Sequence, residues 1–372
     1  MHLHIEFMEL AAALRNEYLL KTEALFVAKR RQWFSEFAVH FQSICEKAVK
    51  MQGERVLPAI SYLDYAMLYT NFVNRHFTLE VWAYGSEWYK DEGQLMVGEF
   101  DASFLFAYFD ELWDKLLSAR KRYVGKVTVQ EVAALMMDAL PDFCSYFTNI
   151  ARFAIAGHAG KSPFAEIAKG ETFQIGVGEY MAGTEPVYTE SKNKDAAELA
   201  SWFEKRLEGE YVAQDCTGLD FSDKEFQGTD FRYVQFCRSR FDHASLQGAE
   251  LIGANFREAR MEKCCLDNCF INEADFSYAT LKGASFAGAQ GRAGLPDAEK
   301  WQFVGFLPVS FRYADLTGAS FKGADLAGAG FTGAVLNGAD FTGAALDGTD
   351  FTGAALEDTD FTGAALDGAV FG

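Results

Sequence analysis

Three cysteines within six residues, Cys264, Cys265 and Cys269, are the densest group of potential metal ligands in the chain. Thiolates at such spacing hold zinc when a fourth ligand completes a tetrahedron. The six histidines, at positions 2, 4, 40, 76, 158 and 243, lie far apart. His2 and His4 form a pair without a closed ligand set, so no metal and no cofactor is expected. Gly176-Val177-Gly178 is too short for a phosphate-binding fingerprint and lacks its lysine. No Gly-x-Ser-x-Gly elbow occurs. Carboxylates are plentiful, but they read as surface charge rather than as a catalytic pair. The expectation is therefore a protein that is not an enzyme, with no catalytic residues. What is left is binding chemistry. Trp82, Tyr84, Glu87, Trp88 and Tyr89 crowd one short stretch. Exposed, Trp82 and Trp88 would anchor a protein interface; packed, they would form a core wedge. Lys29, Arg30 and Arg31 read as a solvated helix face.

The elements that must position these residues are of two kinds. From about residue 214 onward every fifth residue is large and apolar. The cleanest run is Phe311, Leu316, Phe321, Leu326, Phe331, Leu336, Phe341, Leu346, Phe351, Leu356, Phe361, Leu366 and Phe371. Two residues before each sits a small one, such as Ala314, Ala339 or Thr349, and Asp recurs between them at Asp315, Asp325, Asp340, Asp350 and Asp360. The unit is Ala-Asp-[Leu/Phe]-x-Gly, as in Ala339 to Gly343. Period five fits neither a helix nor a strand, and a fixed short period means stacked repeats. One pentapeptide forms one side of a narrow coil. Large residues stack into an interior column and small ones tuck in beside them. Four sides close a coil of about twenty residues, and coils stack about 4.8 Å apart. Phe and Leu alternate, so Phe sides face Phe sides across the coil and Leu faces Leu. Gly after the variable position suits tight corners. Cys264 and Cys269 fall on the small inward position, where Cys behaves as a small hydrophobe rather than a ligand. Residues 221–286 keep the phase with a more irregular small partner, as at Lys224, Thr229 and Val234.

This pattern resembles the pentapeptide-repeat family over about two fifths of the chain. The resemblance implies a right-handed quadrilateral β-helix for residues 211–372. Some members of that family protect DNA gyrase from quinolones by resembling a duplex in width and charge. From Phe311 onward nine carboxylates, Asp340, Asp350 and Asp360 among them, stand against Arg312 and Lys322, which fits that role. Those members are almost wholly solenoid, whereas this chain has a large helical head. The repeat runs to Phe371, and an uncovered last coil exposes its interior and a strand edge. An end-to-end homodimer through Leu356, Phe361, Leu366 and Phe371 is expected, as in relatives that the chain resembles.

Residues 1–170 read as a mainly helical domain. Residues 4–50 contain neither Gly nor Pro, so one long helix or two with a bend lie there. Residues 59–74 read as a helix and His76 to Tyr84 as a strand. Residues 102–120 read as a helix; Thr128 with Glu131 caps a helix over 129–139, and Pro141 opens another to about 156. Residues 171–210 read as a connector, with a strand near Glu171–Val177 and a capping helix from Asp195. Trp202, Phe203 and Leu207 would cover the first coil. The phase breaks between about 290 and 308, at an insertion carrying Trp301, Phe303 and Phe306. Two readings are open: a binding loop on a rigid scaffold, or an element folded back with its aromatics buried. The fold class is thus a helical domain followed by a β-solenoid.

Net charge is −19, which disfavours direct nucleic-acid binding and favours basic partners. No signal peptide and no membrane span is read, and seven unevenly spaced cysteines suit the cytoplasm. The function expected is a protein–protein interaction scaffold built on a rigid acidic rod. The alternative is a DNA mimic that binds and protects gyrase or another topoisomerase.

Overall fold

The computed structural model describes the chain apart from residues 1, 88–93, 159, 181–182, 193–194, 208, 293, 296–298 and 302–304. It divides into two compact units. The first is Met1–Glu190 with Asp297–Trp301, and the second is Ser191–Pro296 with Gln302–Gly372. Among the described residues no helix is long and apolar enough to cross a membrane.

The first unit begins with α1, a single helix over His2–Gly53. Its length follows from the absence of breakers, and its buried stripe includes Phe7, Leu14, Phe26, Phe37, Phe41 and Ile44. Strands β1 (Ile60–Met67), β2 (Thr78–Tyr84) and β3 (Leu95–Asp101) follow, with the short helix α2 (Tyr69–Val73) between the first two. The helix expected over 59–74 is therefore mostly a strand. Ile60, Leu63 and Met67 have helical spacing, but Leu63 and Tyr65 are the residues that bury fully, which is the two-residue alternation of a pleat. The strand's two neighbours decide the matter: β1 pairs antiparallel with β2 and parallel with β4 (Lys169–Glu179).

Helices α3 (Ala107–Arg120) and α4 (Val129–Ala156) come next. Thr128 and Glu131 form the capping box, Thr128 Oγ1 accepting from the Glu131 N–H at 3.1 Å. Pro141 does not open a new helix. It sits inside α4, because Met136 and Ala139 before it and Phe143 and Phe147 after it bury along one continuous face. Strands β4 (Lys169–Glu179) and β5 (Gly183–Ser191) complete a five-stranded sheet of order β3-β2-β1-β4-β5. The strand expected near Glu171–Val177 is thus part of β4, and residues 183–191, read above as connector, belong to the same sheet. Phe37, Tyr65, Phe100 and Phe147 make the aromatic centre, with ring centroids 5.1 to 5.5 Å from Phe37. His40 lies beside them, 4.8 Å from Phe100 between ring centroids, and burial pushes its pKa down to about 4.

In the second unit residues pair in parallel at a separation of twenty, from Asp215↔Gln235 to Ala345↔Ala365. Each coil is four pentapeptides. The large residue's N–H donates to the next coil, as Phe321 to the Asp340 carbonyl at 2.7 Å, and the corner Gly323 donates to the Thr342 carbonyl at 3.0 Å. Each pentapeptide turns on a bond such as Ala324 N–H to the Phe321 carbonyl at 3.1 Å, with Gly323 at φ +62°. That sign of φ is why glycine recurs there. Inside, Phe311, Phe331, Phe351 and Phe371 stack at 4.8 to 5.2 Å. A second column, Phe321, Phe341 and Phe361, stacks at 4.7 and 5.2 Å and meets the first edge to face, as Phe321 meets Phe331 at 5.6 Å. Phe sides face Phe sides, as the alternation requires. The pairing distance rises to thirty-five at Asp275↔Ser310 and returns to twenty at Ser310↔Gly330, so the insertion adds fifteen residues without changing the phase. Helix α5 (Ala196–Phe203) lies at the start of the stack, with Phe203 fully buried and its ring 4.9 Å from Phe231 and 5.9 Å from Phe221. Leu207, named above with Trp202 and Phe203, is 37 % exposed and does not join them in the packed core of the coils.

Candidate functional site

The recurring Asp has a local cause. Asp340 Oδ1 accepts the Thr342 N–H at 2.9 Å and the Thr342 hydroxyl at 2.6 Å. Asp350 and Asp360 accept the N–H two residues on at 2.9 and 2.8 Å, as do Asp220 and Asp275 in earlier coils. The carboxylate thus closes an Asx turn at the corner. These bonds favour the ionised form. Asp340, which also faces Lys322 at 2.9 Å, is pulled down to about 2, and Asp350 and Asp360 are lowered through their threonine partners. Asp340 and Asp360 are neighbours in one ladder. Asp350, ten residues from each, lies on the opposite side of the four-sided coil, so the three carboxylates do not share one face.

The inward small position has its own chemistry. At three of the positions where Ala gives way to a polar residue, the side chain donates to the carbonyl twenty-three residues back: Ser239 to Cys216 at 2.7 Å, Thr349 to Leu326 at 3.1 Å and Cys269 to Leu246 at 2.9 Å. Cys269 is therefore a satisfied wall residue. Burial pushes its thiol up to about 12 and Cys264 well above the usual range. Among the described residues no group of His, Cys, Asp and Glu is placed to hold a metal ion.

At the C-terminal end Phe351 is the last fully packed ring. Leu356, Phe361 and Leu366 are partly buried, and Phe371 is 49 % exposed. The four residues form one apolar end face. Of the insertion's aromatics, Trp301 groups with the first unit. Its indole Nε1–H donates to Tyr146 Oη at 2.7 Å, and Tyr146 donates to Glu23 Oε2 at 2.9 Å. Asn16 clasps the same segment, donating to the Glu299 carbonyl at 2.8 Å and accepting the Trp301 N–H at 2.9 Å. This polar chain was not legible in the sequence, since each of its hydrogen bonds joins residues more than a hundred apart. Phe306, named as a contact residue, is only 4 % exposed. Glu273 accepts its backbone N–H and that of Leu307, so Phe306 packs rather than presents a surface. Phe303 lies outside the described residues, and so does Trp88. Trp82 is partly exposed, donates to Glu80 Oε2 at 2.9 Å and lies 5.5 Å from the Tyr180 ring.

Residues 238–272, 309–343 and 334–372 match the model of the family described as pentapeptide repeats, in eight copies over the chain. No curated protein matches the chain. Similar solved structures include QnrB1, a plasmid-mediated fluoroquinolone resistance protein, at 20 % identity, covering 44 % of this chain and 86 % of that one with a TM-score of 0.29. HetL of Nostoc sp. strain PCC 7120, a pentapeptide repeat protein involved in heterocyst differentiation regulation, is 20 % identical over 48 % and 93 % of the two chains, with a TM-score of 0.18. Rfr23 of the cyanobacterium Cyanothece 51142, also a pentapeptide repeat protein, is 19 % identical over 46 % and 99 %, with a TM-score of 0.15. The family match, the five-residue phase and the pairing at twenty residues together show that the C-terminal segment of this chain carries pentapeptide repeats.

Proposed function

We propose that the chain is a non-enzymatic interaction scaffold whose coils, a right-handed quadrilateral β-helix, present acidic charge on more than one side to a partner protein with a basic surface. One observation carries this reading. From Phe311 to Gly372 nine carboxylates stand against Arg312 and Lys322. Those at the corners are held by backbone N–H groups, as Asp340, Asp350 and Asp360 are, so the charge is displayed without side-chain ordering on binding. Such a surface speeds encounter with basic partners and rejects acidic ones. Trp82 is the contact residue proposed for the first unit. None of the seven cysteines forms a disulfide, which suits the reducing cytoplasm, where we place the protein.

The test is capture of partners from native cytosol by the wild type and by a variant with Asp340, Asp350 and Asp360 changed to Asn. Loss of the captured set in the variant and at high salt is expected; an unchanged set overturns the reading. The same charge favours a second reading, DNA mimicry towards gyrase. That reading expects relief of quinolone inhibition of supercoiling, weakened in the triple variant, and no relief at micromolar protein would end it. The end face of Leu356, Phe361, Leu366 and Phe371 is proposed to pair with a second copy. Light scattering at tens of micromolar would then give a dimer mass that Phe371→Glu halves. A monomer mass for both proteins would dispose of the pairing.

A further inference from the structure

Gly176-Val177-Gly178, discarded above as a phosphate motif, has a different use in the sheet of the first unit. Leu63 and Tyr65 of β1 face the helices and are fully buried, so Tyr62 and Asp64 face the other side. A Cβ on Gly176 would lie 2.5 Å from Asp64 Oδ1 and 2.3 Å from Thr184 Oγ1. The missing side chain lets the Thr184 hydroxyl of β5 reach across β4 and donate to Asp64 Oδ1 at 3.2 Å. Above this pair lies a cavity of about 160 Å³, walled also by Tyr62, Tyr84 and Glu179. For scale, a cavity of about 150 Å³ takes a benzene.

The lining is one-sided in charge. Asp64 and Glu179 are its ionisable acids, and none of the described residues that line it is Lys, Arg or His. Around it the same sheet carries Glu80 on β2 opposite Glu99 on β3, and Tyr180 at the end of β4. Burial raises the Asp64 carboxyl to about 6, against the pull of the Thr184 hydroxyl and the Gly176 backbone. A buried carboxylate of that kind is costly unless it meets a cation. The partner must be small, must donate hydrogen bonds and must tolerate phenol walls; ammonium groups also gain from aromatic faces.

We propose that this cavity binds a primary ammonium group on a slim alkyl stem, with Asp64 as counter-ion and Tyr62 and Tyr84 flanking the stem. The group would come from a free amine or from a lysine side chain of another protein.

The experiment is calorimetric titration of the full chain with n-butylammonium chloride at pH 7.5 and low salt. Saturable one-site binding is expected, with tetramethylammonium and n-butanol each weaker by at least about tenfold, roughly 1.4 kcal/mol. Asp64→Asn should weaken binding by a similar factor or more and Thr184→Ala by several-fold, with circular dichroism unchanged in whichever variant is used. Glu179→Gln reads the second carboxylate separately. Lowering the pH to 5 should weaken butylammonium about tenfold as Asp64 takes up its proton. Equal binding of n-butanol, full binding by both Asp64→Asn and Thr184→Ala, or no heat at tens of millimolar butylammonium would each overturn the proposal. A blocked peptide with one internal lysine, compared with its acetyl-lysine form, identifies the source. If the lysine peptide binds and the acetylated one does not, the ligand is a protein side chain. If only the free amine binds, the ligand is a small amine.

Discussion

Before the insertion, non-glycine residues hold many of the corners, at Asp223, Tyr233, Arg238, His243, Glu258, Lys263, Asn268, Glu273 and Tyr278, all at positive φ, among glycine corners at Gly218, Gly228, Gly248, Gly253, Gly283 and Gly288; after it, Gly fills the corner except at Tyr313 and Asp358. A side chain in that conformation costs about 1 kcal/mol or more. The early coils offset the strain with contacts between layers. Arg240 bridges Asp220 at 3.4 Å and Asp242 at 3.3 Å, and Arg260 meets Asp242 at 2.7 Å. Tyr278 stacks on Tyr313 at 5.2 Å. The late coils have mostly unstrained glycine corners instead, and their outer charge is nearly all negative. Inside, the two halves are alike: Phe256 and Phe341 are both fully buried in Phe columns. The five-residue backbone is therefore set by the inward pair and the corner φ. The outer residues are free to differ, and their difference is where partner choice would be written.

The largest effects should come from what the halves share. Phe256→Asp and Phe341→Asp each bury an unpaired charge in a Phe column, at a cost of several kcal/mol. Each coil contacts only its neighbours, so damage spreads along the stack. Hydrogen exchange should show Phe341→Asp opening the last coils while those around Phe256 stay protected, and Phe256→Asp opening both halves. Equal protection loss everywhere in both variants would mean that the coils unfold as one block.

Next comes a substitution that separates the halves. A Cβ at Gly253 would meet the Tyr233 ring at 2.3 Å, whereas at Gly343 it meets nothing within 4 Å. Both corners have positive φ. Gly343→Ala should cost about 1–2 kcal/mol from backbone strain alone. Gly253→Ala should add about 1–3 kcal/mol of overpacking, because Tyr233 is itself buried. Equal losses in urea unfolding would show that Tyr233 moves aside freely.

Acid should separate the coils from the first unit. The His40 pKa is lowered in the fold, so the stability it contributes is present above its unfolded value of about 6.5 and is lost as pH falls towards 4. Asp64 acts in the opposite sense. Its pKa is raised to about 6, so the cost of ionising it is relieved as pH falls through that value. The corner carboxylates are lowered, so their contribution holds above about 3.8 and fades only below it, towards 2 for Asp340. In Asp64→Asn combined with Glu23→Gln, which removes the two carboxyls that burial raises in this unit and leaves His40 unopposed, the first unit should melt earlier at pH 5 than at pH 7 while the coils do not change. A first unit indifferent to pH in that variant would remove His40 from the account.

The sequence and the structure agree most closely where one residue type has one job. Phe, Leu and Ala at five-residue spacing can only point inward, so the coil, its four sides and the facing Phe columns were all readable. Aspartate has two jobs. Its charge was read and its Asx turn was not, because a turn bond and a surface charge use the same letter. The strand at Ile60–Met67 was missed because its apolar residues also fit a helix, and only β2 and β4 decide between the two. The seat of Trp301 and the cavity at Asp64 depend on residues brought together from distant segments, which no local pattern records.

The smallest prediction tests what the corner aspartate contributes. Asp350 lies in a late coil, where its Oδ1 accepts the Thr352 N–H at 2.9 Å. In an early coil Asn255 accepts the Arg257 N–H at 3.1 Å in the same way. If the bond matters and the charge does not, Asp350→Asn should be near neutral and Asp350→Ala should cost about 0.5–1.5 kcal/mol. The reverse substitution sharpens the point. Ala355 occupies the Asp position in the last coils, is exposed, and pairs with Val335 rather than with another acid. Ala355→Asp should therefore gain a corner bond with little repulsion and raise stability by a similar small amount. A gain there with no change in Asp350→Asn would assign the recurring aspartate to the turn, leaving its charge free to serve a partner. If Asp350→Asn instead lost as much as Asp350→Ala, the charge itself would stabilise the corner, and the acidic charge would be a property of the fold before it was a feature for binding.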